Sequence, residues 1–289
     1  MASRDTCSAL ASIKVAAIDL DGVVYRGRTM VAGADAAISS LRQSGLQVLF
    51  ATNSSVRTRA DIAAKLTGMG IPTQEEDVLT SAYLAGLLVK SIGLAKNVLA
   101  IGAEGLRTEI SLTGATVVAN PPCDSVVVGM DTAFSYHKIQ LAMEAIRGGA
   151  VFVACNRDAS FPGSDGRMFP GCGPMVAAVE AAVGFPPHYT AGKPNVLMLE
   201  IVAARCDVRP HEILVVGDGM QSDIAMAMAF GSPSVLVAPG GSDSRPGTTE
   251  PSFVIGSLGE LPWLLEGKSP CSKMRLDSHE AYQHSDSLL

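Results

Sequence analysis

Aromatic side chains are scarce in this 289-residue sequence, 5% of the total with a single Trp, so any core must be built from aliphatic residues. Charge is thin as well: 17% Asp, Glu, Lys and Arg against 47% hydrophobic residues excludes a disordered chain. Its 29 glycines fall far short of the roughly one residue in three that a collagen-like chain needs. Basic residues are not in excess. The 22 Lys and Arg face 28 Asp and Glu, and a net charge of −6 has the wrong sign for gathering a phosphate backbone, so no nucleic acid partner is expected.

The six cysteines, Cys7, Cys123, Cys155, Cys172, Cys206 and Cys271, include no CxxC pair. An even count in a chain this long does not make a disulfide framework, and reduced thiols in a cytoplasmic protein are expected. His137, His188, His211, His279 and His284 form neither an HExxH pattern nor a cluster with cysteine, which leaves zinc hydrolysis without support. The opening MASRDTCSALASIKV lacks the basic segment and apolar run of a secretory signal. Residues 224–242 carry no charge over a length that spans a bilayer, but Gly231, Ser232, Pro233 and Pro239 interrupt them. Helix, turn and strand is the better reading, with no membrane partner.

What is present is an alternation. Short apolar runs over 13–20, 46–53, 97–101, 125–130, 151–154, 212–216 and 234–237 read as strands. Between them, helical patterns cover 34–45, 57–68, 82–92, 135–147, 174–183, the stretch from Pro194 to Cys206, and 222–230. Strands without a polar face are buried on both sides, which predicts an α/β protein with a mostly parallel, doubly wound sheet. From about 267 to 289 the sequence turns polar, and a frayed tail is expected there.

Polar groups gather where three of these strands end: Asp19 and Asp21 after the first, Thr52, Asn53 and Ser54 after the second, Asp218 after EILVV. In open parallel sheets the carboxyl ends of strands form the binding crevice, so groups far apart in sequence can meet there. Taken alone, Asp19 and Asp21 read as turn or cap residues, and Asp223 as a cap in the first turn of a helix. Capping does not explain Asp218. Carboxylates gathered in one crevice repel by ~1 kcal/mol per pair at 4 Å in water, and by ~4 kcal/mol at an effective dielectric near 20, so such a cluster wants a cation. All-oxygen ligation suits Mg²⁺. Thr52, Asn53 and Ser54 then serve as donors to phosphate oxygens, with Lys193 of AGKPN as a positive point charge.

DLDGVVYRG (19–27), ATNSS (51–55), GKP (192–194) and GDGMQSD (217–223) together resemble the haloacid dehalogenase superfamily of phosphatases, in that family's order. The resemblance implies that Asp19 is the nucleophile and that Asp21 protonates the leaving alcohol and then activates water. It implies Mg²⁺ bound by Asp19, the backbone carbonyl of Asp21 and Asp218. Asp223 would support that metal, and Lys193 would balance charge. Residues 79–187 would be an inserted cap of the type-C2 branch that includes nitrophenylphosphatases and phosphoglycolate phosphatases. The core would then comprise 1–78 and 188–266. VVVGMDTAFSYHKIQLAMEAIRGGAVFVACNRD (126–158) and FPGSDGRMFPGCGPMVAAVEAAVG (161–184) match that branch too.

In that branch the cap supplies substrate contacts, which makes Asn156, Arg157 and Asp158 candidates for a specificity loop. A polar strand-to-turn exit is the structural alternative for them. Members often dimerise through the cap, so a homodimer is an expected assembly. Some relatives acting on pyridoxal phosphate carry His before Pro where Phe161-Pro162 stands here, which counts against that substrate without excluding it. The expected partner is a small phosphorylated metabolite: phosphoglycolate, a sugar or polyol phosphate, a nucleotide or pyridoxal phosphate, with p-nitrophenyl phosphate as an artificial substrate. Two alternatives stay open. One is a catalytically silent metabolite- or partner-binding protein; the other is a phosphotransferase or mutase using the same intermediate.

Three further signals are set aside. GDGMQSD begins like a dinucleotide fingerprint but has Ser222 at the third glycine position, and Asp218 is hostile to a pyrophosphate. Asn53-Ser54-Ser55 is a sequon at an expected buried crevice, better read as a phosphate loop. Met220, Met226 and Met228 read as core filler.

Overall fold

The run VAAI at Val15–Ile18 has no exposed residue, and its side chains alternate between two cores. Val15 and Ala17 pack with Leu49 and Ala51 on one side, while Ala16 and Ile18 pack with Val48 and Phe50 on the other. This is what a strand covered on both faces requires, because successive side chains point to opposite sides. The computed structural model describes residues 10–163, 167–239 and 250–267.

In chain order the strands are β1 (Val15–Ile18), β2 (Tyr25–Arg26), β3 (Thr29–Met30), β4 (Gln47–Thr52) and β5 (Val78–Thr80). Then come β6 (Val98–Ile101), β7 (Val117–Val118), β8 (Ser125–Val128), β9 (Val151–Ala154), β10 (Ser160–Pro162) and β11 (Met168–Pro170). The last are β12 (Tyr189–Thr190), β13 (Ile213–Gly217), β14 (Ser234–Val237) and β15 (Phe253–Ile255). One six-stranded parallel sheet runs β15-β14-β13-β1-β4-β5, and a second, of five parallel strands, runs β12-β9-β8-β6-β7. Helices lie between the strands in sequence, and the chain is the doubly wound α/β protein its patterning predicts.

The junction expected between 78 and 79 falls inside β5, which pairs with β4 in the first sheet. The one expected between 187 and 188 falls just ahead of β12, which pairs with β9 in the second. Apolar side chains of both sheets, including Leu49 and Leu79 from the first and Val126 and Phe152 from the second, belong to one continuous core.

Local chemistry explains several element ends. Helix Ala34–Gln43 stops at Gly45, whose φ of 86° suits a residue without Cβ. Leu46 N–H donates to Leu41 O and Gly45 N–H to Arg42 O, closing a Schellman motif. Helix Arg59–Gly68 starts from a capping box: Asp61 N–H donates to Thr58 Oγ1 at 3.0 Å and Thr58 N–H to Asp61 Oδ2 at 3.2 Å, contributing ~1 kcal/mol. The charge-free stretch forms helix Ala225–Phe230, a turn at Gly231 and strand β14, and no helix among the described residues is long and apolar enough to cross a membrane. The expected helix start at Ser222 is corrected: Met220–Ile224 is a π-helical turn that precedes Ala225. Asp223 Oδ2 accepts from Gly219 N–H and from the Ser222 hydroxyl, and those bonds shape the turn. Cys123, Cys155, Cys172 and Cys206 are free thiols, whereas Cys7, Cys271 and the expected tail from 268 onward lie outside the described residues.

Candidate active site

From β1 the first sheet continues through β4 to one edge and through β13 to the other, so its order reverses between β1 and β13. At such a point the loops leaving the carboxyl ends diverge and leave a crevice. Asp19 follows β1 and Asp218 follows β13. Gly22, at φ 90°, allows these loops to meet, since a Cβ there would run into the Asp218 carboxyl.

Lys193 is buried in this crevice with all three of its ammonium protons used. Nζ donates to Asp19 Oδ1 at 2.6 Å, to Asp223 Oδ1 at 2.7 Å and to Ala51 O at 3.0 Å. Burial pushes the ammonium toward losing its proton, but the charges of Asp19 and Asp223, and their hydrogen bonds, more than offset that and hold it well above its ordinary value. The expected point charge is therefore present, aimed at two carboxylates. Removing one partner from a buried cluster of this kind leaves an uncompensated charge, which costs ~3–5 kcal/mol.

The carboxyls are correspondingly perturbed. Burial pushes Asp19 well above the carboxylate range; Lys193 pulls it back, and the charges of Asp223 and Asp218 push it up again. Asp218, whose residue is exposed at the mouth of the crevice, is pushed up to about 6, first by partial desolvation of its carboxyl and then by the charge of Asp223. Oxygens of Asp19, Asp218 and Asp223 all lie within 4.8 Å of one another, close enough for a single ion. Oxygen-only donors in this cluster fit a hard divalent cation such as Mg²⁺. Asp223 spends Oδ1 on Lys193 and Oδ2 on Gly219 and Ser222, which leaves Asp19 and Asp218 the freer donors.

The Asp21 side chain stands outside that trio. Its residue is exposed at the surface. Its carboxyl is raised by desolvation against the stabilising charges of Lys65, Lys193 and Arg57. Lys65 sits with Nζ 3.1 Å from the centroid of the Tyr25 ring, and Tyr25 is bridged to Asp21. No pattern in the sequence points to Lys65, because its neighbour comes from a hairpin far along the chain.

At the end of β4, Thr52 Oγ1 accepts from Ser54 N–H at 3.1 Å, and among the described residues the hydroxyl donates to no protein group. The Ser54 hydroxyl has no protein hydrogen bond among the described residues. Asn53 is used differently from the expected phosphate donor. Lys193 N–H donates to Asn53 Oδ1 at 2.8 Å, while Asn53 Nδ2 donates to Lys193 O at 3.1 Å and to Asp158 Oδ2 at 3.0 Å. Ser81, absent from the sequence-based set, donates its hydroxyl to Asn53 O at 2.7 Å.

Of the three candidates that follow β9 and Cys155, Asn156 and Asp158 reach this site and Arg157 turns away. Buried Asn156 donates Nδ2 to Asn53 O at 2.7 Å and accepts from Asp158 N–H at 3.0 Å on Oδ1. Arg157 is exposed and pairs with Glu180 at 2.7 Å.

A family model for haloacid dehalogenase-like hydrolases matches residues 16–116, and a second, described as HAD-hydrolase-like, matches 190–261. The chain is 33% identical to the sugar-phosphatase AraL of Bacillus subtilis over 92% of its own length and 97% of that protein's. The crystal structure of a 4-nitrophenylphosphatase from Thermotoga maritima superimposes with a TM-score of 0.80 at 27% identity, covering 88% of this chain and 98% of that one. A glycerol phosphate phosphatase from Mycobacterium tuberculosis, crystallised with magnesium, gives a TM-score of 0.78 at 35% identity over 88% of this chain and 77% of its own.

Proposed function

The chain belongs to the haloacid dehalogenase-like hydrolases and is a phosphatase for small phosphorylated substrates, and we propose that it hydrolyses them with Mg²⁺ through an aspartyl phosphate on Asp19. The observation that carries this reading is the buried Asp19–Lys193–Asp223 group, with an oxygen of Asp218 in reach of the same ion.

Asp19, the backbone carbonyl of Asp21 and Asp218 would hold the metal, with Asp223 steadying the cluster through Lys193. When bound, Mg²⁺ neutralises charge on the transferring phosphoryl group and on the carboxylates around it. Lys193 fixes the Asp19 carboxyl through Oδ1, and one oxygen of that carboxylate attacks phosphorus. As that bond forms, the ester P–O bond breaks and its electron pair leaves with the alcohol oxygen, which takes a proton from Asp21. Burial raises the Asp21 carboxyl from its ordinary value, which is the direction a general acid needs. Asp21, now ionised, accepts a proton from water as the water attacks phosphorus and frees the Asp19 carboxylate. Thr52 and Ser54 donate their hydroxyls to the phosphoryl oxygens, where positioning supplies most of the rate.

Sugar and glycerol phosphates lead the candidates, given the named activities of the relatives. Phosphoglycolate, nucleotides and pyridoxal phosphate follow. A cap formed by 79–187, a cytoplasmic place of action and pairing of two copies through that cap belong to the same reading. A screen of phosphorylated metabolites with and without Mg²⁺, ranked by kcat/KM, tests it. Hydrolysis that persists in EDTA, or wild-type-like turnover by Asp19→Asn, contradicts it.

A further inference from the structure

Lys193 does more than join charges, because the two sheets meet at its backbone. β12 runs parallel to β9, and the pairing continues beyond it: Ala191 N–H donates to Ala154 O at 2.9 Å and Gly192 N–H to Cys155 O at 2.7 Å. The next residue is Lys193, whose peptide groups on both sides are held by one side chain from the first sheet, Asn53. Gly192 leaves no room for error there, since a Cβ would press on Asn53 Oδ1 at 2.5 Å.

An amide can flip, and a flip here would break both bonds by turning NH₂ toward Lys193 N–H and oxygen toward Lys193 O. Those two bonds favour one orientation, and a third partner reinforces it. Asp158 Oδ2 lies 3.0 Å from Asn53 Nδ2 and accepts from it, and a carboxylate placed there would repel the amide oxygen of the flipped form. Asp158 is in turn fixed through its own N–H to Asn156 Oδ1, and Asn156 reaches back to Asn53 O.

We propose that Asp158 is a positioning residue for Lys193, acting through the Asn53 carboxamide. The inference rests on the reading of Lys193 as part of the phosphoryl-transfer site. It assigns Asp158 to the alignment of that site, whatever alcohol leaves, rather than to the choice of substrate. Because an acceptor is what Asn53 needs, the neutral Asp158→Asn side chain can replace the carboxylate by presenting its amide oxygen, whereas Asp158→Ala cannot.

The test uses the full chain with Mg²⁺ and p-nitrophenyl phosphate, glycerol 3-phosphate and phosphoglycolate as probes. Asp158→Ala is expected to lower kcat by ~30-fold, by the same factor for every probe hydrolysed, with KM changed less than about threefold. Asp158→Asn is expected to stay within about threefold of the wild type. Independently of turnover, hydrogen exchange at the Lys193 amide is expected to quicken about tenfold or more in Asp158→Ala, while the Val215 amide, bonded to Pro233 O, keeps its rate. An unchanged Lys193 amide in Asp158→Ala overturns the proposal. So does an Asp158→Asn enzyme as impaired as Asp158→Ala, or a loss that differs more than about tenfold between probes, which would put Asp158 against the leaving group. A wild type that hydrolyses none of the probes refutes the proposed function, and the exchange measurement then decides the positioning role by itself.

Discussion

The two parallel sheets end in opposite ways. At the carboxyl ends of β1, β4 and β13 the first sheet presents Asp19, Thr52, Asn53 and Asp218 around a buried lysine. The second sheet reverses its order between β6 and β8, so it too has a crevice where a ligand would be expected. That place is taken by the protein itself. Ser55 Oγ accepts from Met130 N–H at 2.9 Å, a Cβ on Gly129 would press on Ser55, and one on Gly105 would run into the Val56 carbonyl. The end of β4 and the loop leaving it thus give Thr52, Asn53 and Ser54 to one crevice and fill the other with Ser55 and Val56. Architecture alone does not make a site; the chemistry follows from which side chains stand at the strand ends.

The sharpest way to break that contrast is to disable the first crevice chemically without disturbing its shape. Asp19→Asn is expected to lower kcat for p-nitrophenyl phosphate by ~10⁴-fold or more while the far-ultraviolet circular dichroism stays unchanged. Lys193→Met should affect both activity and fold. It leaves Asp19 and Asp223 facing each other, and a destabilisation of ~3 kcal/mol or more is expected in urea unfolding, with kcat reduced by ~10²-fold. In the second crevice, Gly105→Ala should act through packing: ~1–3 kcal/mol of stability lost, because backbone rather than a flexible side chain must give way, and only a few-fold loss in kcat. Equal damage to catalysis from Gly105→Ala and Lys193→Met would erase the distinction between the two ends.

The smallest expected effect is a change of slope with pH. In EDTA, Asp218 with a folded pKa of about 6 binds protons more tightly than in the unfolded chain, where ~3.9 is usual. Between those values the native state carries more protons, so stability increases as pH falls from about 7 toward 4. Saturating Mg²⁺ needs ionised carboxylates and should reverse the slope. Thermal melts at about pH 7.5 and 5.5, with and without Mg²⁺, read this directly. Asp218→Asn should make the EDTA slope shallower, with Asp19 and Asp21, whose carboxyls are also raised, supplying the remainder; a slope that survives intact in that variant assigns it to other groups.

Much of both sheets was legible because their strands are continuous apolar runs: Val151–Ala154 in the second sheet and Ser234–Val237 in the first fall where the pattern puts them. The polar strand ends were legible for the same reason, as interruptions of those runs. Features that depend on long-range partners were not. Glu109 is fully buried in helix Glu104–Leu112, where a sequence reader sees a surface carboxylate. It accepts from Arg59 N–H at 2.6 Å and Arg59 Nε at 2.9 Å, and the guanidinium also lies over the Tyr83 ring. Asn53 reads as a phosphate donor until its three protein partners appear, two of them on the Lys193 backbone and one on Asp158. Short β12 has too few residues to show a period, and only its pairing with β9 reveals that the Lys193 loop hangs from the second sheet.

Nucleophilic attack by Asp19 is open to the most direct test in Asp21→Asn supplied with Mg²⁺ and a phosphate-labelled p-nitrophenyl ester. The nitrophenolate leaves without a proton, so the first step should proceed, while water attack, which needs Asp21 as base, should slow and let the intermediate accumulate. Acid quench and peptide mapping are expected to find the label on the peptide carrying Asp19, released by hydroxylamine as an acyl phosphate should be. Label on another residue, or steady turnover with no protein-bound phosphate at any time, would contradict it.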